Sequence, residues 1–214
     1  MHNVCLTFDN GPDLDVTPRV LDTLAKHQIK ASFFVLGKHL ENSSCRALCE
    51  RAVGEGHWIG NHTYTHETPL GRQKGADVAE REIARTERLI GSLAHPDKFF
   101  RPFGGGGAIG QHLLSSDVLQ HLQAEQYTCV LWNVIPRDWE DGETWPERAM
   151  ALMLDQAESL VVLHDIAGLQ ISQLERFIGL VRDGGGRFEQ QFPRECVPFR
   201  TGRAMRSMDE YLAR

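Results

Sequence analysis

The sequence predicts an α/β barrel, a parallel sheet covered by helices, and three observations carry that prediction. Short apolar runs of strand length alternate with helical stretches along the 214 residues, the pattern of parallel strands joined by crossover helices. Asp9, His62, Arg101, Asp138 and His164 each follow a different strand at its C-terminal end, and polar groups converging from many strand ends are the habit of a barrel. An open dinucleotide-binding sheet would instead carry G-x-G-x-x-G after its first strand, where this chain has Gly11-Pro12.

Residues 3–8 form an apolar run ended by a turn, a buried first strand. Thr17-Pro18 starts a helix, with the hydroxyl as N-cap and proline in the first helical position, and Val20, Leu21 and Leu24 give it a buried stripe. Residues 31–36 predict a second strand ended by Gly37. Ser43 or Ser44 then caps a helix that turns Ala47, Leu48, Ala52 and Val53 inward and closes at Gly54 and Gly56. Residues 58–61 are a third strand. Residues 78–93 predict a long charged helix in which Ile83, Leu89, Ile90 and Leu93 make a partial stripe and the Glu and Arg residues a solvated face.

A fourth strand over 99–101, a helix over 113–124 and a fifth strand over 129–133 follow. Thr144-x-x-Glu147 reads as a capping box opening a helix to about residue 157. Residues 160–163 make a sixth strand, and 171–181 a helix stopped by Gly184-Gly185-Gly186. The remaining tail is less regular, with a helix expected near 208–212.

No repeat or linker divides the chain, so the expectation is one domain over 1–214. With 41% hydrophobic and 24% charged residues the composition is globular, and a net charge of −6 argues against nucleic acid or an anionic membrane as partner. No apolar run reaches the length of a membrane span. The N-terminus lacks the basic start and long apolar stretch of a signal peptide, so the expected location is the cytoplasm. Five scattered cysteines suit reduced thiols, with Cys45 and Cys49 as packing residues.

His62 and His66 stand four residues apart, and two imidazoles so spaced can hold a divalent ion if further ligands come from elsewhere. The glycine run 104–107 lacks the lysine and Ser/Thr of a phosphate-binding loop and reads as a flexible active-site loop. His95, His112 and His121 read as surface residues.

Five motifs in order resemble the polysaccharide deacetylase family, the carbohydrate esterases of the chitooligosaccharide and peptidoglycan deacetylase type. Thr7-Phe8-Asp9-Asn10-Gly11-Pro12 is similar to that family's T-F-D-D-G-P, His62-Thr63-Tyr64-Thr65-His66 to H-[ST]-x-x-H, and Arg101-Pro102-Phe103-Gly104 to R-P-P-Y-G with one proline missing. Trp132-Asn133-Val134 with Asp138-Trp139 resembles W-x-V-D-x-x-D-W, and Leu163-His164 the closing L-x-H element.

The resemblance implies a distorted (β/α) barrel and metal-assisted hydrolysis of the acetyl group of an N-acetylated sugar, oligosaccharide or polysaccharide. It implies a divalent cofactor, zinc, on Asn10, His62 and His66, where it polarises the carbonyl and activates water. Asp9 would be the general base, oriented by Arg101, and His164 the general acid, kept charged by Asp138. The backbone N–H after Pro102 would help bind the oxyanion. Phe103, Gly104, Trp139 and Leu163 would contact the substrate, the last two as apolar walls of the acetyl pocket.

Two positions depart from the pattern. Asn10 replaces the family's aspartate ligand, so metal affinity is expected to fall. Ile135 replaces the first aspartate of the fourth motif and removes a polar group from the site's edge. Two rival readings remain: an amidohydrolase of this fold acting on another C–N bond, and a catalytically weak carbohydrate-binding relative.

Overall fold

A computed structural model describes residues 2–213. β1 (Asn3–Asp9) lies between β6 (Glu158–His164) and β2 (Ser32–Val35), and the sheet continues through β3 (Trp58–Asn61), β4 (Phe99–Phe100) and β5 (Thr128–Cys129), all parallel. β7 (Arg187–Phe188) adds to the start of β1. Beyond β5 the order turns antiparallel with β8 (Phe199–Arg200) and β9 (Arg203–Ala204). After β5 the chain returns to β6 through a single bridge, Val134 with Val161, in which Val134 N–H donates to Leu160 O at 3.1 Å and Val162 N–H to Val134 O at 3.0 Å. The mixed sheet therefore curls into a distorted barrel whose parallel ends meet through one residue.

Strand alternation sorts the core into two layers. Val4, Leu6 and Phe8 of β1 face outward and pack with Val20, Leu21 and Leu24 of α1 (Thr17–His27) and with Leu174, Phe177 and Ile178 of α6 (Ile171–Asp183). Cys5 faces the interior with Phe34, Phe100, Leu160 and Val162. Each fully buried aliphatic or aromatic side chain here contributes about 1.5–3 kcal/mol. The same alternation directs Thr7 and Asp9 inward, which is how the core pattern places the site.

Several elements differ from the sequence reading in their ends. Thr17 does not cap α1. The N-cap of α1 is Val16, without a side-chain cap bond; Asp13 orders the preceding turn, its Oδ1 accepting the N–H groups of Asp15 and Val16 at 2.9 Å each, while the Thr17 hydroxyl donates to Asp165 Oδ2 at 2.5 Å. α2 (Ser43–Gly54) is capped by Asn42, which accepts from Ser44 N–H. Its inward stripe is Cys45, Cys49 and Ala52, at spacing i, i+4, i+7, whereas Ala47 and Val53 are exposed.

The capping box is not formed. The Thr144 hydroxyl turns back to Asp141, Glu147 pairs with Arg176, and α5 (Trp145–Met153) ends before residue 157. α4 (Ser116–Ala124) starts three residues later than the apolar pattern predicts, because Ser115 caps it through Val118 N–H. Of the fifth strand's predicted extent only Cys129 is strand, since the chain then leaves for its bridge to β6. Near 208–212 there is no helix; Leu212 instead bridges Leu114.

Residues 78–93 are helical but uneven, with a π-turn (Glu80–Ala84), α3 (Arg85–Ile90) and a 3₁₀ turn (Gly91–Leu93). Its acidic residues are not all solvated, for Glu82 is 2% exposed. All five cysteines are free and buried. Among the described residues no helix is long and apolar enough to cross a membrane.

Candidate active site

Asp9 and His164 pair on the last rung between β1 and β6, and the cleft opens at that edge. Asp9 is 4% exposed. Its Oδ1 accepts from Arg101 Nη1 at 2.6 Å and its Oδ2 lies 3.5 Å from His62 Nε2. Arg101 is wholly buried, so each of its donors needs an acceptor. Nη1 also donates to Thr7 Oγ1 at 2.9 Å, Nε to Val130 O at 3.1 Å, and the guanidinium lies 3.9 Å from the centre of the Phe34 ring. Burial raises the pKa of Asp9, but the charge and hydrogen bond of Arg101, with the His164 charge behind them, outweigh it and hold the carboxyl below its ordinary value.

His62 and His66 come from a loop after β3, not from a helix. His62 Nδ1 donates to the Arg101 carbonyl at 2.8 Å. A carbonyl can only accept, so Nδ1 carries the proton and Nε2 presents a lone pair. The His66 ring centre is 4.9 Å from that of His62 and 3.8 Å from that of Phe103. Burial lowers the pKa of both imidazoles, that of His66 to about 3, which leaves both in the neutral form. Asn10 follows β1 with a left-handed φ of 73°, a conformation asparagine tolerates better than most residues. Its Oδ1 is buried without a hydrogen-bond partner.

On the other side His164 Nδ1 donates to Asp138 Oδ1 at 2.8 Å, and Asp138 Oδ2 accepts the His164 backbone N–H at 2.8 Å. The carboxylate thus fixes both ring and backbone and leaves Nε2 for the cleft. Burial works against the charged imidazole, but the hydrogen bond and charge of Asp138, with Asp9 and Asp165 behind them, raise its pKa. Trp139 meets the His164 ring edge-to-face at 4.8 Å.

The cleft, about 330 Å³, is lined by Asp9, Asn10, His62, His66, His164, Phe103, Gly104 and Trp139 among the expected residues. Arg101 and Asp138 stand behind Asp9 and His164. Leu163 is a correction. Its side chain is wholly buried in the outer core with α1 and α6, because alternation along β6 turns 163 outward and Val162 and His164 inward. Val162, Trp132, Ile135 and Ile166 complete the apolar wall.

Sequence reading also missed the supports of this wall. Trp132 Nε1 donates to Gly107 O at 2.8 Å, and His112, expected at the surface, bonds Gly104 O through Nε2 at 2.9 Å. A Cβ on Gly104 would fall 2.6 Å from the Trp132 ring, so only glycine lets the loop lie against it. Glu82 was missed for the same reason as these, since its partners are 17 and 18 residues away in the chain.

Among the described residues no three His, Cys, Asp or Glu side chains converge as a metal-holding group. The donor set at the cleft is instead two neutral imidazoles and an amide oxygen. Asn10, His62 and His66 line the same cleft, and an unpartnered amide oxygen with neutral imidazoles is a donor chemistry that suits a divalent cation.

The geometry can be set beside known proteins. The sequence profile described as polysaccharide deacetylase matches residues 2–130. A peptidoglycan-N-acetylglucosamine deacetylase of Bacillus cereus is 33% identical over 190 residues, covering 86% of this chain and 65% of the relative; the chain therefore spans a little under two thirds of that protein's length. A chitooligosaccharide deacetylase of a Bradyrhizobium species is 35% identical over 166 residues, covering 76% of this chain and 70% of the relative. Among solved structures, a family 4 acetyl xylan esterase from Clostridium thermocellum in complex with a cobalt ion superposes with a TM-score of 0.69 at 29% identity, covering 87% of each chain. A profile spanning more than half of the chain, the barrel with its Asp9–His164 rung, and these relatives agree: the chain belongs to the polysaccharide deacetylase family.

Proposed function

We propose that this chain hydrolyses the acetamide of an N-acetylated amino sugar, within an oligosaccharide or polysaccharide, with the help of a divalent metal ion. One observation carries the reading: a low-pKa carboxylate and a high-pKa imidazole face one cleft from the same rung, each backed by its own buried partner. Pairs of groups whose environments push their pKa values apart mark base and acid.

His62, His66 and Asn10 would hold the ion, and two imidazoles with an oxygen suit zinc. When bound, it supplies Lewis-acid polarisation of the scissile carbonyl. Asp9, ionised at neutral pH, accepts the proton of the attacking water, and Arg101 keeps it both ionised and aimed. The N–H of Phe103, the residue after Pro102, would donate to the developing oxyanion. His164 gives its Nε2 proton to the departing amine while Asp138 holds Nδ1–H. Trp139, Val162 and Ile135 offer the acetyl methyl an apolar wall and keep bulk water away.

The two sequence relatives named above are deacetylases of peptidoglycan N-acetylglucosamine and of chitooligosaccharides, which supports an amino-sugar amide as the bond cleaved. The test is acetate release from chitooligosaccharides and peptidoglycan fragments by metal-stripped protein and by protein given back zinc or cobalt. Release that depends on added metal is the expected result. Release without metal dependence, or none from either substrate, would overturn the reading.

A further inference from the structure

The loop that carries His62 and His66 is held in an unfavourable shape. Thr63 has φ 72° and His66 φ 57°, and left-handed backbone at a β-branched residue persists only where surrounding structure over-determines it. The loop's carbonyls are served from one side: Thr63 O accepts from Gly37 N–H at 3.0 Å, Tyr64 O from Lys38 N–H at 3.3 Å. Asn61 Oδ1 accepts Thr63 N–H at 3.1 Å, and its Nδ2 donates to Ile83 O at 3.0 Å. The N–H groups of Tyr64 and Thr65 find acceptors on the helical segment that follows.

Both go to one carboxylate. Glu82 Oε2 accepts from Tyr64 N–H at 3.1 Å and from Thr65 N–H at 2.9 Å, and Oε1 accepts from Thr65 Oγ1 at 2.9 Å. Glu82 is 2% exposed and sits on the π-turn (Glu80–Ala84), a helix irregularity that often accompanies functional sites. A buried carboxylate is tolerated only when such donors surround it. These three bonds all land between the two histidines.

We propose that Glu82 is a positioning residue of the metal site: its buried carboxylate fixes the turn between His62 and His66, so that both imidazoles face the cleft before an ion binds. This rests on the reading of those histidines as ligands. Groups that orient ligands govern affinity through preorganisation, and Glu82 acts one step further out, on the backbone rather than on the rings.

The experiment titrates zinc, by calorimetry, into metal-stripped wild type, Glu82→Ala and Glu82→Gln, with cobalt(II) absorption spectra as a second readout of ligand geometry. Glu82→Ala orphans both N–H groups, and its zinc affinity is expected to fall by about 10- to 100-fold, with an altered cobalt spectrum. Glu82→Gln keeps an oxygen for the two N–H groups and turns an NH₂ to the Thr65 hydroxyl, which can accept, so affinity should stay within roughly threefold of wild type.

Amide exchange in metal-free wild type covers the case in which Glu82→Ala does not fold: the Tyr64 and Thr65 amides are expected to be protected. Rapid exchange of both would overturn the assignment, as would wild-type zinc affinity in a folded Glu82→Ala protein, whatever its melting temperature. If wild type itself takes up no zinc or cobalt, the metal reading of the cleft falls, and this assignment with it.

Discussion

Asp9 and His164 are register partners on the final rung of two adjacent parallel strands, yet their environments push their pKa values in opposite directions. Arg101 at 2.6 Å favours the Asp9 anion, and Asp138 at 2.8 Å favours the protonated form of His164. Side chains on one rung are near neighbours, so a substrate bond lying over this edge meets a base and an acid without either needing to travel.

Asp9→Asn removes the base while keeping the shape of the side chain. Turnover is expected to fall by about two to four orders of magnitude, with the protein still folded by circular dichroism. A folded variant with near wild-type acetate release would mean that Asp9 is not the base.

His164→Ala should hurt the leaving-group step most. An alkoxide departs more readily than an amine, so hydrolysis of an acetate ester is expected to lose less than hydrolysis of the matching acetamide. Equal losses on the two substrates would assign His164 to structure or to binding.

Asp138→Asn tests the acid from the side of pH. The competent state has Asp9 deprotonated and His164 protonated. The lowered pKa of Asp9 places the acid limb of kcat/KM at low pH, and the raised pKa of His164 places the basic limb above the ordinary imidazole range. Removing the Asp138 charge leaves burial to act on His164 unopposed by its main partner, so the basic limb should move to lower pH. A basic limb that stays in place would show that another group controls it.

Asn10→Asp replaces a neutral amide by a carboxylate next to two imidazoles. Zinc affinity, measured by calorimetry on metal-stripped protein, is expected to rise by about one to two orders of magnitude. Activity need not follow, because a second carboxylate beside Asp9 raises that residue's pKa. Identical affinities in the two proteins would mean that position 10 does not face the ion.

Gly11→Ala probes the turn between Asn10 and α1. A Cβ there would fall 2.2 Å from Asp165 Oδ2, and that carboxylate is 1% exposed and engaged by the Thr17 hydroxyl. The overpacking should cost about 1–3 kcal/mol in urea unfolding. An unchanged midpoint would show that Asp165 can swing aside freely.

Much of the site was legible before the fold was known. Asp9, Asn10, His62, His66, Phe103, Gly104, Trp139 and His164 were placed from short motifs, and all line one cleft. Motifs at strand ends are local, and a parallel sheet gathers its C-terminal ends at one edge whatever the intervening loops do. The strand–helix alternation was likewise a local signal, and it fixed the outer face of the barrel through the stripes of α1 and α6.

What the sequence by itself determined was therefore the order of the parallel strands' elements and the identity of the polar groups that line the cleft. Only the tertiary structure decided which face of β6 met the cleft, exchanging Leu163 for Val162. It also decided how the barrel closes, since one bridge at Val134 and an antiparallel extension follow from packing and from no periodicity. It buried Glu82 against a loop 17 and 18 residues away and turned the half-buried His112 onto the glycine loop. Whether a charged side chain is a solvated face or a buried anchor depends on which donors reach it, and those lie beyond the range of any local pattern.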